Sequence, residues 1–252
     1  MTPAVTEPTA AARPQPSRGS EILWSLISTA LLAGWIWWQM GWMVALAGVV
    51  GVLVHETGHV LAINALGCGP GRIHIVPFLG GAATGKRPPS TEFKGVLIAL
   101  AGPVFGLLAM VPFFLAAAAT GQNRWLGGAF FVAVINLINL APAPPLDGSK
   151  AFGPALAKIH PWVERGALVL VGAAVVLWAL SRHSNIFALF VGLGVFGALK
   201  RGRLRPPARA LNLAEWPASV ALYLVATLLC AAAAAFTTDP LVFGAARRLL
   251  RL

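Results

Sequence analysis

Apolar residues in this chain come in long blocks instead of alternating singly with polar ones. The blocks predict helices over 22–41, 43–66, 94–119, 126–147, 166–182, 185–199 and 217–236. About 20 apolar residues in a helix cross ~30 Å of hydrocarbon, so most of these blocks are long enough to span a bilayer. The fifth and sixth are short: they form either a tight helical hairpin about the SRHSN break at 181–185 or include one segment that only dips into the membrane. The expected fold is all-α and polytopic, with six or seven transmembrane helices. One stretch departs from it. In GCGPGRIHIVPFLGGAATGKRPPS at 67–90, IHIV alternates and is rich in β-branched residues, while Gly80 and Gly81 permit a tight turn or a close backbone approach. A short membrane-associated β-like loop is expected there, with an edge able to pair with a substrate strand.

Composition agrees with the pattern. Of 252 residues, 58% are apolar and 11% charged, against about 25% charged in ordinary soluble domains, and the mean hydropathy is +0.77. The spans leave no room for a soluble domain of ordinary size. Residues 1–20, MTPAVTEPTAAARPQPSRGS, have no apolar period and read as a disordered leader. The block behind them is too long for a signal peptide and lacks a cleavage site, so 21–42 is expected to be a retained first span. The remainder divides into a core at 43–148, accessory spans at 149–236 and a basic tail at 237–252.

The net charge of +11 points to membrane topology and not to nucleic acid, because the cations lie in the loops between spans. With the N-terminus inside, the inner segments hold Arg13, Arg18, Arg72, Lys86, Arg87, Lys150, Lys158, Arg165, Lys200, Arg201, Arg203, Arg205 and Arg209. The outer segments hold only Arg124, Arg182, Arg247, Arg248 and Arg251, with Lys94 at a boundary. Cytoplasmic segments carry the excess of Lys and Arg, so the N-terminus is expected in the cytoplasm, as in a bacterial-type inner membrane. Trp35, Trp37, Trp38 and Trp42 cluster where the first two spans would meet the outer interface. Cys68 and Cys230 lack any metal or disulfide spacing and read as small apolar fillers.

Chemistry enters in the second span, at VHETGHV. His55 and His59 stand four residues apart, so on a helix both imidazoles leave one face and can hold one metal ion. Glu56 is rotated by about 100° from His55, near enough to reach a water on the metal without being a ligand. With 5 His and 6 Glu in the chain, roughly 0.002 such motifs are expected by chance. A merely structural cluster would carry ionisable groups into the bilayer at about 2.5–3.5 kcal/mol each. Gly48, Gly51 and Ala62 share that helix face, which allows a neighbouring helix to approach closely.

A third ligand is expected from NLINLAPAPPLDG at 136–148. Asp147 is the one acid between Glu92 and Glu164, and Pro142, Pro144 and Pro145 cannot continue a regular helix. The fourth span should therefore end in extended backbone beside a cavity, presenting Asp147 near the membrane edge.

HETGH in one span and NLAPAPPLDG at the end of another together resemble the site-2 protease family of intramembrane zinc metalloproteases. The resemblance covers about 43–148, the family's three-helix catalytic core, and extends to the β-like loop after the zinc helix. It implies one Zn2+ per chain held by His55, His59 and Asp147, with Glu56 as catalytic acid/base, and a membrane-protein substrate, such as a single-pass helix, cut in or near its transmembrane segment. Asn139, at the head of the second motif, is a candidate for the substrate backbone or the oxyanion; helix–helix hydrogen bonding is its structural alternative. Two features depart from the family. Where many relatives have Asn soon after AGP, ALAGPVFGLL has Gly106, so a polar contact is missing or comes from elsewhere, and the loops have no room for a PDZ domain. The rival class is a divalent-metal transporter, in which Glu56 would itself be a ligand. A catalytically dead adaptor is disfavoured by the intact His, Glu and Asp set.

The charge asymmetry makes a topological prediction. The N-terminus and the loops at 67–93 and 200–216 face the cytoplasm, so a cysteine introduced at position 86 should resist membrane-impermeant thiol reagents applied from outside. Labelling from outside would contradict the orientation.

Overall fold

The computed structural model describes residues 18–76, 80–200 and 208–238. The chain is mostly helical. Helix α1 (Arg18–Met40) is followed by α2 (Trp42–Ala65), the strands β1 (Gly71–Val76) and β2 (Gly80–Gly85), and then α3 (Glu92–Gly106). One 3-10 turn, Leu107–Met110, joins α3 to α4 (Val111–Thr120), so that Glu92–Thr120 forms one long apolar segment. Then come α5 (Arg124–Asn139), α6 (Asp147–Ile159), α7 (Pro161–Ser181), α8 (Asn185–Lys200) and α9 (Glu215–Thr238).

Among the described residues, four segments are long and apolar enough to cross a membrane: Trp42–Ala65, Glu92–Thr120, Pro161–Ser181 and Glu215–Thr238. The apolar helices α5 and α8 are shorter. A girdle of exposed Leu, Val, Phe and Trp side chains, including Leu115, Leu170, Leu177 and Leu228, suits a lipid-facing surface. The expected leader lies outside the described residues except for 18–20, which already belong to α1, and most of the tail also lies outside them. The break between α7 and α8 falls at Arg182–Ser184, where His183 takes a left-handed φ of 57°. The two helices pack against each other, as the hairpin reading expected.

Helix α2 is the hub, packed by α1, α3, α5 and both strands. Its apolarity runs nearly all the way round, as expected of a helix covered on several sides. Ile36 of α1 lies over Gly48, and Val132 of α5 over Gly51, which bears out the close approach expected along that face. Helix α3 crosses tightest: a Cβ at Gly58 would run into the Ala101 carbonyl and Phe105. Met43 and Ala47 of α2 share a core with Met110, Phe113, Ala129, Val132 and Ala133. A second core joins α3, α6 and α9 through Val96, Leu100, Ala151, Tyr223 and Cys230. Both cysteines are free and buried, as the sequence suggested.

The β-like loop is a two-stranded antiparallel hairpin, with Ile75 opposite Gly81 and Val76 opposite Gly80. It lies against α2.

The expected fourth span, 126–147, needs correction. Helix α5 stops at Asn139, eight residues short, because Pro142, Pro144 and Pro145 withdraw the donors that would continue it. Asp147 does not end that span in extended backbone; it opens α6, a helix in a stretch read as a loop. Protein groups satisfy part of the irregular segment 140–146. The Tyr223 hydroxyl donates to the Leu140 carbonyl at 2.7 Å, Leu146 N–H donates to Ala143 O at 2.9 Å, and Ala143 and Leu146 are buried with Val191 of α8.

Candidate metal centre

The four residues singled out by sequence come from α2 and α6 and are all buried: His55 is 4% exposed, Glu56 5%, His59 6% and Asp147 7%. The i, i+4 spacing puts the two imidazoles on one face of α2, with ring centroids 4.8 Å apart. Asp147, in the first turn of α6, points its Oδ2 at both rings, 3.0 Å from His55 Nε2 and 3.0 Å from His59 Nε2. The two Nε2 atoms stand 3.1 Å apart.

The other ring nitrogens orient the rings. His59 Nδ1 donates to the Ile98 carbonyl of α3 at 2.7 Å. Asn136 of α5 donates through Nδ2 to Val132 O at 2.8 Å, which turns its carbonyl oxygen toward His55, and His55 Nδ1 donates to that oxygen at 2.8 Å. A carbonyl oxygen only accepts, so each neutral imidazole carries its hydrogen on Nδ1 and its lone pair on Nε2. In that tautomer two nitrogen lone pairs and a carboxylate oxygen converge, a donor set that suits a cation. Tetrahedral ligand atoms about 2.0–2.1 Å from one zinc stand about 3.3 Å apart, close to the observed separations. The buried His55, His59 and Asp147 group can hold a metal ion.

Close helix approach makes room for this cluster. A Cβ at Gly102 of α3 would land on His59 Nε2 and His55 Nε2, so only glycine lets the α3 backbone pass over the rings. Pro103 lacks the N–H that would bond the Ala99 carbonyl, next to Ile98 in α3.

Glu56 stands apart from the three ligands. Its Oε2 is buried with no hydrogen-bond partner among the described residues, and it lies within electrostatic reach of His59, His55, Asp147 and Lys150. Strand β2 closes over it: a Cβ at Gly81 would strike the Glu56 side chain, with Oε1 at 2.8 Å. The close approach expected of Gly81 is therefore made toward Glu56, while Gly80 pairs with Val76 at the end of the strand.

Asn139, the candidate for the substrate backbone or the oxyanion, is the last residue of α5. It donates to the Ile135 carbonyl of its own helix at 3.2 Å, and Asn136, one turn earlier, reaches the site. Asn136 also answers the question raised at Gly106, because a Cβ there would overlap the Asn136 amide. The polar contact is supplied from α5. The sequence held a signal for it: Ala129, Val132, Ala133 and Asn136 follow helical spacing along the buried face of α5, and Asn136 is the one polar member.

Comparison with protein-family models found no match, and comparisons with curated proteins and with solved structures found none either.

The close passage of α3 is testable. Gly102→Ala should displace the imidazoles and lower metal affinity about 10-fold or more, the scale seen when the surroundings of a ligand are disturbed. Gly95→Ala on the same helix meets only Pro89 Cγ at 3.9 Å and should leave affinity unchanged. Equal metal binding by both variants would show that α3 does not set the ring positions.

Proposed function

We propose that the chain is an intramembrane zinc metalloprotease that hydrolyses a peptide bond in or near the transmembrane segment of another membrane protein. The observation that carries the reading is the pairing of a three-ligand set with a buried carboxylate that is not one of the ligands: His55, His59 and Asp147 converge, and the Oε2 of Glu56 has no partner among the described residues. Three protein ligands leave a coordination position open, as in catalytic zinc sites. A transporter would be expected to enlist Glu56 as a fourth ligand. The motif pair HETGH and NLAPAPPLDG, with its resemblance to site-2 proteases, supports the same reading.

When bound, zinc supplies Lewis acidity, which eases deprotonation of water near neutral pH and polarises the scissile carbonyl. The protein residues divide the remaining work. Asn136 and the Ile98 carbonyl hold the two rings in the tautomer that presents Nε2. Glu56 takes a proton from the attacking water as the C–O bond forms, holds it on a carboxylate oxygen, and returns it to the amine as the C–N bond breaks. The products are a carboxylic acid, which releases its proton near neutral pH, and an amine, and Glu56 is regenerated. Its burial beneath β2 excludes bulk water, which strengthens its electrostatic coupling to the site. A helical substrate must unwind before its amide can enter, so Gly or Pro near the cut should favour cleavage. The further transmembrane spans expected from sequence, the cytoplasmic N-terminus and the membrane-protein partner belong to this proposal.

Glu56→Gln separates the readings. The protease reading expects retained zinc together with a loss of about 10²–10⁴-fold in cleavage of a single-span substrate carrying Gly or Pro in its membrane segment. Loss of the metal with this variant would favour the transporter, and full cleavage would remove Glu56 from the mechanism.

A further inference from the structure

Asp147 has two carboxylate oxygens, and the structure gives them different partners. Oδ2 faces the two imidazoles, while Oδ1 lies 3.2 Å from the Lys150 ammonium. Asp147 and Lys150 are three residues apart in the first turn of α6 and share a face. Helical side chains lean toward the N-terminus, which carries the ammonium back over the carboxylate.

The pair is poorly placed to stabilise the fold. The Lys150 side chain is 60% exposed and that of Asp147 10%, and an ion pair so open to water contributes little. Other contacts seat α6: the Trp216 indole donates to the Ala155 carbonyl at 3.0 Å, Phe152 stacks on Tyr223 with centroids 4.6 Å apart, and Ala151, Pro154 and Ala155 are buried. What the contact does constrain is the carboxylate. A carboxylate beside a metal ion can bind through one oxygen or both, and an ammonium on Oδ1 holds the second oxygen away.

We propose that Lys150 is a positioning residue that restricts Asp147 to metal ligation through Oδ2 alone, which keeps the fourth coordination position open. The inference rests on the metal-centre reading above but not on the reaction assigned to it. Without the ammonium, Oδ1 swings toward the metal and takes the position that a water or a substrate carbonyl needs.

The test uses the full-length protein in detergent, loaded with Co2+ because zinc has no visible spectrum. Cobalt absorption is strong at four-coordinate sites and weaker as the coordination number rises. Lys150→Met should weaken the visible bands and change Co2+ affinity about 10-fold. Lys150→Arg, which keeps a cationic donor, should restore both. Lys150→Gln provides a second charge-free variant in case the Met variant folds poorly, and thermal midpoints matching the parent protein establish an intact fold. A parent-like cobalt spectrum and affinity in a folded Met or Gln variant overturns the role of Lys150. Failure of the parent protein itself to bind Co2+ through His55 and His59 overturns the metal-centre reading instead.

Discussion

Two imidazole nitrogens and one carboxylate oxygen meet at one point inside the helical bundle, a donor set that suits a cation. His55 Nε2, His59 Nε2 and Asp147 Oδ2 stand within 3.1 Å of one another, while both Nδ1 atoms are committed as donors to carbonyl oxygens. With both imidazoles neutral, a cation at this point would draw the three donor atoms together. Much of the fold can be understood as what holds this donor set: α2 supplies both rings, α3 passes close enough to offer the Ile98 carbonyl, α5 supplies Asn136, and α6 begins at Asp147.

The break between α5 and α6 is the other half of that design. A continuous helix through 140–146 would carry Asp147 further along the axis of α5. The prolines end α5 and let the chain re-enter a helix with Asp147 in its first turn, where the N-terminal end of the dipole favours a carboxylate. Irregular backbone at membrane depth has to be buried in protein or line a water-filled cavity. Tyr223 of α9 satisfies the Leu140 carbonyl, which gives one of the C-terminal helices a structural task at the site.

The candidate ligand set is legible in the sequence because metal chemistry leaves a local signature. His55 and His59 need only helical spacing to meet, and Asp147 stood out as a lone acid among prolines. Gly81 was legible as a close approach, although the side chain it approaches, Glu56, is remote in sequence. That Asn136 reaches His55 is not legible from spacing alone, because it depends on which face of α5 turns toward α2, and that is settled by Val132 against Gly51 and by the space at Gly106. Helix α6 was missed because DGSKAFGPALAKI is too polar for a span and contains Gly and Pro. Its helicity comes from tertiary packing on α3 and α9, which overrides weak propensity. The number of spans is the part least fixed by pattern, since α5 and α8 are apolar but short.

The most direct test of the account is the metal content of the purified full-length protein, measured by elemental analysis beside a variant in which His55 and His59 are both replaced by Ala. The account predicts about one zinc per chain in the parent, as a single three-ligand site requires, and none above background in the variant. Equal metal in both, or none in a folded parent supplied with zinc, would contradict it.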